Sequence, residues 1–130
     1  MILLDTHVVL WLAFDQARIS KKARAAIEAA RESAEGLAIS DITLLEIATL
    51  DRKRRITLRT TLETFLTDIE ARFIVLPITA RVCVRAIGFP PSYPDDPADR
   101  VIGATALVEG IRLVTADEGI RRSKELPTIW

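Results

Sequence analysis

Short apolar runs alternate with longer helix-patterned stretches along the whole of this sequence, and that alternation limits the fold more than any other feature. The runs are Met1-Ile2-Leu3-Leu4, Leu37-Ala38-Ile39, Phe73-Ile74-Val75-Leu76 and Ile111 to Thr115, with Thr128-Ile129-Trp130 as a fifth candidate. Each is too short for a helix, and the first is apolar throughout, as in a strand buried on both faces. The stretches between them read as helices. Val8 to Phe14 is apolar almost all round. Ser20 caps a helix to about Ser33, ended by Gly36, and Ser40 caps another over Asp41 to about Lys53. Others run from about Thr60 to Arg72 and onward from Thr79. Gly88 to Pro94, with three prolines and a glycine, is a loop. Pro97, behind Asp96 as N-cap, starts a helix that continues to Gly110. Strands alternating with helices predict an α/β chain with a parallel sheet covered on both faces and right-handed crossovers.

Two strands end on acids, Asp5 and, after Thr115-Ala116, Asp117. Such strands belong side by side, where open α/β sheets bind ligands at the carboxyl ends. Four acids stand at element ends or among apolar neighbours: Asp5, Glu46, Asp99 and Asp117. Each has a structural explanation as well as a chemical one. Asp5 and Asp117 are well placed to cap the helices that follow them, and Asp99 sits in a first turn, where the helix dipole favours an acid. Glu46, set among Leu44, Leu45, Ile47 and Ala48, needs a partner, solvent, a basic group such as Lys53, or a metal. Taken jointly, carboxylates that converge on one crevice repel one another, and a hard divalent cation relieves that repulsion. An oxygen-only set with no His or Cys cluster points to Mg²⁺ or Mn²⁺ rather than zinc.

Neighbouring residues have weaker claims. Thr6 and Thr115 are placed to orient carboxylates or to do no more than end strands. Asp96 is a capping residue and at most a supporting one. Arg100 is placed to hold Asp99 by an ion pair, or to contact substrate. His7 is the only histidine, and packing against the first helix explains it better than base catalysis. Arg52 to Arg55, and Arg121, Arg122 and Lys124, are either phosphate contacts or solvated helix ends.

The four segments Leu3-Leu4-Asp5-Thr6-His7, Ser40 to Glu46 with Leu-Leu-Glu-Ile, Asp96-Pro97-Ala98-Asp99-Arg100-Val101-Ile102 with Ala104-Thr105-Ala106, and Leu113-Val114-Thr115-Ala116-Asp117 together resemble a PIN-domain ribonuclease. More closely, they resemble a VapC-type toxin of a bacterial toxin–antitoxin pair. The resemblance covers essentially the whole chain and implies a single PIN domain over 1–130. It implies a three-layer α/β/α fold with a central parallel sheet of order 3-2-1-4-5. It implies metal and catalytic roles for Asp5, Glu46, Asp99 and Asp117, with Mg²⁺ or Mn²⁺ as cofactor. The implied reaction is hydrolysis of RNA phosphodiesters by metal-activated water, leaving 5′-phosphate and 3′-hydroxyl ends. A homodimer and a cognate antitoxin are the implied protein partners. One departure concerns the loop. The pattern leads one to expect a histidine or basic residue just before Asp96, where this chain has Tyr93-Pro94-Asp95, which leaves that loop's substrate contacts unassigned.

The gross numbers agree with this class. A length of 130 residues is ordinary for one domain, and 49% hydrophobic with 28% charged residues is ordinary for a globular protein. Net charge is zero, so contact with a polyanion depends on local patches. Cys83 is the only cysteine and forms no intramolecular disulfide. The sequence has neither a signal-peptide pattern nor an 18-residue apolar run, so the expected setting is cytoplasmic, with no membrane partner. The competing readings are a PIN-like RNA-binding module without activity and a receiver-type signalling domain. The latter needs an acceptor Asp after the third strand, where this chain has Leu76-Pro77-Ile78. A phosphatase using an Asp nucleophile needs a second Asp at the position of His7.

Overall fold

The computed structural model describes residues 1–130. The chain runs β1 (Ile2–Leu4), α1 (Thr6–Phe14), a 3₁₀ turn (Gln16–Arg18), α2 (Lys21–Glu32), β2 (Leu37–Ser40), α3 (Asp41–Arg52), α4 (Leu62–Arg72) and β3 (Ile74–Leu76). It continues through α5 (Ala80–Ile87), α6 (Pro97–Glu109), β4 (Arg112–Val114), α7 (Glu118–Ser123) and β5 (Thr128–Ile129). The five strands form one sheet in the order β3-β2-β1-β4-β5, and every pairing is parallel. β1 is therefore central. Leu3 lies between Ala38 of β2 and Leu113 of β4.

The strand side chains alternate between two cores, as a pleated strand requires. Ile2 and Leu4, Leu37 and Ile39, and Val114 face a layer that includes Val8, Val9, Ile27, Ile47 and Ile69. Leu3, Ala38 and Leu113 face the other layer, built from Val82, Ala86, Ile102, Ala104 and Ile120. This is the three-layer arrangement that the alternation of short runs and helices predicts. No helix is long and apolar enough to cross a membrane.

Helix starts follow the predicted caps. Ser20 Oγ accepts from Ala23 N–H, Ser40 Oγ from Ile42 N–H and Thr79 Oγ1 from Val82 N–H. The end of α2 differs from expectation. Ser33 caps it, and the chain reverses through Ala34 at φ 60° before Gly36 at φ 88° sends it into β2. The Gly36 N–H closes this reversal on the Ala30 carbonyl.

The proline-rich loop is anchored rather than loose. Tyr93 is 2% exposed, stacks on Phe89 at 3.9 Å between ring centroids, and sits on Gly103 of α6. A Cβ on Gly103 would overlap the Tyr93 hydroxyl and lie 2.9 Å from its Cζ. Gly103→Ala is therefore expected to expel the Tyr93 ring and destabilise the protein by about 1–3 kcal/mol, the usual cost of overpacking. Urea denaturation checks this. An unchanged midpoint would show that the loop does not depend on Tyr93.

Candidate functional site

The carboxyl end of β1 is where the sequence places its first acid, and Asp5 is 3% exposed there. Its backbone N–H continues the sheet ladder to the Val114 carbonyl at 3.0 Å. Its Oδ1 accepts from the Thr6 N–H at 2.9 Å, so Asp5 does cap α1. Its Oδ2 accepts from Thr115 Oγ1 at 2.7 Å. Capping and membership of the acidic cluster are held by the same side chain.

Thr115 links a second acid to the first. Its hydroxyl donates to Asp5 and accepts from the Asp117 N–H at 3.0 Å. Asp117 in turn caps α7, its Oδ1 accepting from Ile120 N–H at 2.8 Å. Thr6 does the same for Glu46. Its hydroxyl donates to Glu46 Oε1 and lies 3.0 Å from Thr43 Oγ1. Because the Thr6 proton goes to Glu46, Thr43 is the donor to Thr6. The partner of Glu46 is thus a threonine of α1, not Lys53.

Asp99 differs from the others. Its backbone N–H donates to Asp96 Oδ1 at 3.2 Å and its carbonyl accepts from the Tyr93 hydroxyl at 2.7 Å. No protein donor is directed at its carboxylate. Partial burial raises its pKa first, and the negative charges of Asp5, Asp96, Asp117 and Glu46 raise it further, to about 7. Burial also raises the Glu46 pKa. The Thr6 hydrogen bond opposes this, and Asp5 and Asp96 reinforce it. Five acids from β1, α3, α6 and the β4–α7 turn therefore share one electrostatic neighbourhood. Asp96 Oδ1 caps α6 through Ala98 and Asp99, which is the capping role read from the sequence.

Arg100 does not hold Asp99. Its guanidinium donates to the carbonyls of Pro94, Ala86 and Phe89 and lies 3.7 Å from Asp95. The side chain leaves α6 toward the preceding loop and ties that loop down, so the expected ion pair does not form. No lysine or arginine pairs with any of the five acids.

Three residues contribute through contacts that the sequence does not show. His7 Nε2 accepts the Ala116 N–H at 3.0 Å, and its Nδ1 lies 3.6 Å from Asp5 Oδ2. It clamps the β4–α7 turn onto the start of α1, a more specific role than packing. Thr43 completes the hydroxyl pair behind Glu46. Tyr93 fixes the backbone of Asp99. Being the only histidine, two residues after Asp5, marks His7 in the sequence without revealing this contact.

A set of carboxylates in one electrostatic neighbourhood, with no lysine or arginine paired to them, has the donor chemistry that suits a hard cation. No three His, Cys, Asp or Glu side chains stand together in a coordination shell as they are. Asp99, whose carboxylate has no protein partner, is the group freest to turn toward an ion.

The chain belongs to the PIN-domain family, which matches residues 2–126. Ribonuclease VapC22 of Mycobacterium tuberculosis (strain ATCC 25618 / H37Rv) is 38% identical over 131 residues, spanning 99% of this chain and 98% of that protein. Among solved structures, VapBC2 from Rickettsia felis bound to a promoter DNA fragment superposes with a TM-score of 0.71 at 18% identity, covering 98% of this chain and 97% of that one. VapBC-1 from nontypeable Haemophilus influenzae gives 0.69 at 20% identity, with coverages of 98% and 96%. At these identities the structural likeness speaks for the fold, which is the PIN-like α/β/α sandwich.

The raised pKa of Asp99 makes a prediction about the metal-free protein. The folded state holds this proton more tightly than the unfolded chain, whose aspartates titrate near pH 4. The stabilisation is complete below about pH 4 and is lost as pH rises through about 7. In EDTA, wild type should melt at lower temperature at pH 8 than at pH 5, and Asp99→Asn should flatten that difference. Thermal melts at both pH values test it.

Proposed function

We propose that this protein is an Mg²⁺- or Mn²⁺-dependent endoribonuclease, the toxin of a toxin–antitoxin pair, working in the cytoplasm as a homodimer. The observation that carries the reading is that Asp5, Glu46, Asp96, Asp99 and Asp117 share one electrostatic neighbourhood in which no lysine or arginine pairs with them. The 38% identity to a named ribonuclease over almost the full length supports it. The VapBC relatives among the solved structures support a small antitoxin as partner.

Asp5 and Asp99 would hold the ion, with Asp117 and Glu46 completing the set. A bound Mg²⁺ or Mn²⁺ supplies Lewis-acid stabilisation of charge on the phosphoryl oxygens and leaving group, and lowers the pKa of a water. Thr115 holds Asp5, and Thr6 holds Glu46, each by a hydroxyl donated to one carboxylate oxygen, and each carboxylate keeps further lone pairs available. Glu46 or Asp117 accepts a hydrogen bond from the attacking water and sets its line of approach. No side-chain nucleophile is required. The RNA is left with a 5′-phosphate and a 3′-hydroxyl.

Asp5→Asn and Asp99→Asn should each reduce cleavage of single-stranded RNA in Mg²⁺ or Mn²⁺ by about 10²-fold or more, because tuning groups around metal sites already cost 10- to 100-fold. Wild-type cleavage by either variant would overturn the assignment. Mn²⁺ should also raise the melting temperature of wild type. The stabilisation is about 2.7 kcal/mol at one hundred times the dissociation constant. The Asp5→Asn/Asp99→Asn double variant should show no such shift. Equal shifts in both proteins would place the ion elsewhere.

A further inference from the structure

The edge of the sheet that carries the acids also carries a row of aromatic rings that the chemistry above does not use. His7 lies beside Asp5, and its ring centroid is 4.9 Å from that of Trp11, one turn further along α1. Trp11 is 5.7 Å from Trp130. Trp130 follows Ile129, whose carbonyl accepts the Thr115 N–H at 3.2 Å, so it stands next to the turn that bears Asp117. The 3₁₀ turn Gln16–Arg18 brings the Arg18 guanidinium back over Trp11, 4.4 Å from the ring centroid. His7, Trp11 and Trp130 are half-buried and Arg18 is exposed. The chain's two tryptophans are both in this row.

Core packing accounts for the inner faces of Trp11 and Trp130, which rest on the apolar layer under α1. It does not account for Arg18. A cation–π contact at an exposed position is worth only about 0.5–1 kcal/mol, little reason by itself to hold a long side chain. Arg18 is absent from the ion pairs of the protein, so its charge is free for a ligand. Five carboxylates repel a polyphosphate and the net charge is zero, so binding of RNA beside them requires a local attractive surface. Aromatic faces with a nearby guanidinium are the sequence-tolerant means of binding single strands.

We propose that Trp11, Trp130 and Arg18 form a ledge that stacks one base and holds one phosphate of a single-stranded RNA beside the bond to be cut. This rests on the reading of the carboxylate cluster as a ribonuclease centre. Arg18 supplies the phosphate contact, and Trp130 supplies the outer stacking face. Trp11 keeps both in register with His7 and Asp5.

The test uses the full chain in an Asp99→Asn background without added metal, so that RNA is bound and not consumed. The probe is an end-labelled single-stranded RNA of about twelve nucleotides, within the span of known single-strand sites, read by anisotropy. Trp130→Ala should weaken binding by about 5- to 150-fold, the equivalent of one stacked base, and Trp130→Phe should recover most of it. Arg18→Gln should weaken binding and lower the slope of log affinity against log salt by about one, whereas Arg18→Lys should keep the slope. Arg18 is exposed, so its variants remain informative if Trp130→Ala fails to fold. Unchanged RNA affinity in Arg18→Gln and Trp130→Phe/Arg18→Gln would overturn the ledge. Unchanged RNA affinity with lost capture of the antitoxin would assign the surface to that protein, and would also overturn it. Cleavage by the otherwise wild-type protein in Mn²⁺ is scored separately. Its absence would sink the ribonuclease reading and the ledge with it, while normal cleavage with unaffected binding would sink the ledge alone.

Discussion

Both carboxylate oxygens of Asp5 accept a hydrogen bond from the protein, and those two bonds join three elements. Oδ1 starts α1 through the Thr6 N–H, and Oδ2 takes the hydroxyl of Thr115 at the end of β4. The same threonine holds the Asp117 N–H, and His7 holds the Ala116 N–H. The β4–α7 turn is thus fastened at successive residues to the first turn of α1. Each oxygen has more than one lone pair, so the bonds orient Asp5 without exhausting it. A carboxyl side chain at 3% exposure needs this much satisfaction to persist.

Around that fixed point the fold tolerates a concentration of like charge. The compensation comes from backbone rather than from basic side chains. Asp5, Asp96 and Asp117 each cap a helix, so the amino ends of α1, α6 and α7 all present N–H groups to the cluster. Thr6 and Thr115 add hydroxyl donors. A lysine or arginine in the same place would neutralise the acids more completely and would also compete with a metal. Arg100, the nearest candidate in sequence, is turned into the 86–95 segment, where it satisfies three carbonyls. Asp99 is left with the least compensation and the most perturbed carboxyl of the set.

Much of this is legible in the chain because the relevant signals are local. A short apolar run ending in an acid places Asp5 at a strand end, and proline behind aspartate places α6 to the residue. Glu46 stands out because its own helix offers it little polar face. What escapes is the long-range partner. Thr43 reaches Thr6 across 37 positions and His7 reaches Ala116 across 109, distances at which sequence patterning carries no information. Arg100 follows the same logic in reverse. Adjacency to Asp99 invites an ion pair, but consecutive residues on a helix point about 100° apart. Tyr93 looks like a departure in a substrate loop, and its burial on Gly103 makes it part of the scaffold beneath Asp99.

The central position of β1 has a consequence for how the protein comes into being. β1 pairs with β2 and with β4, and its acid is completed by a hydroxyl 110 residues downstream. During translation, Asp5 emerges well before Asp99, Thr115 and Asp117. A nascent chain therefore carries Asp5, and then Glu46, before Asp99, Thr115 and Asp117 have been made. Contacts between distant positions, usually counted as a handicap to fast folding, here mean that the acids assemble only once the segment bearing Thr115 and Asp117 is available.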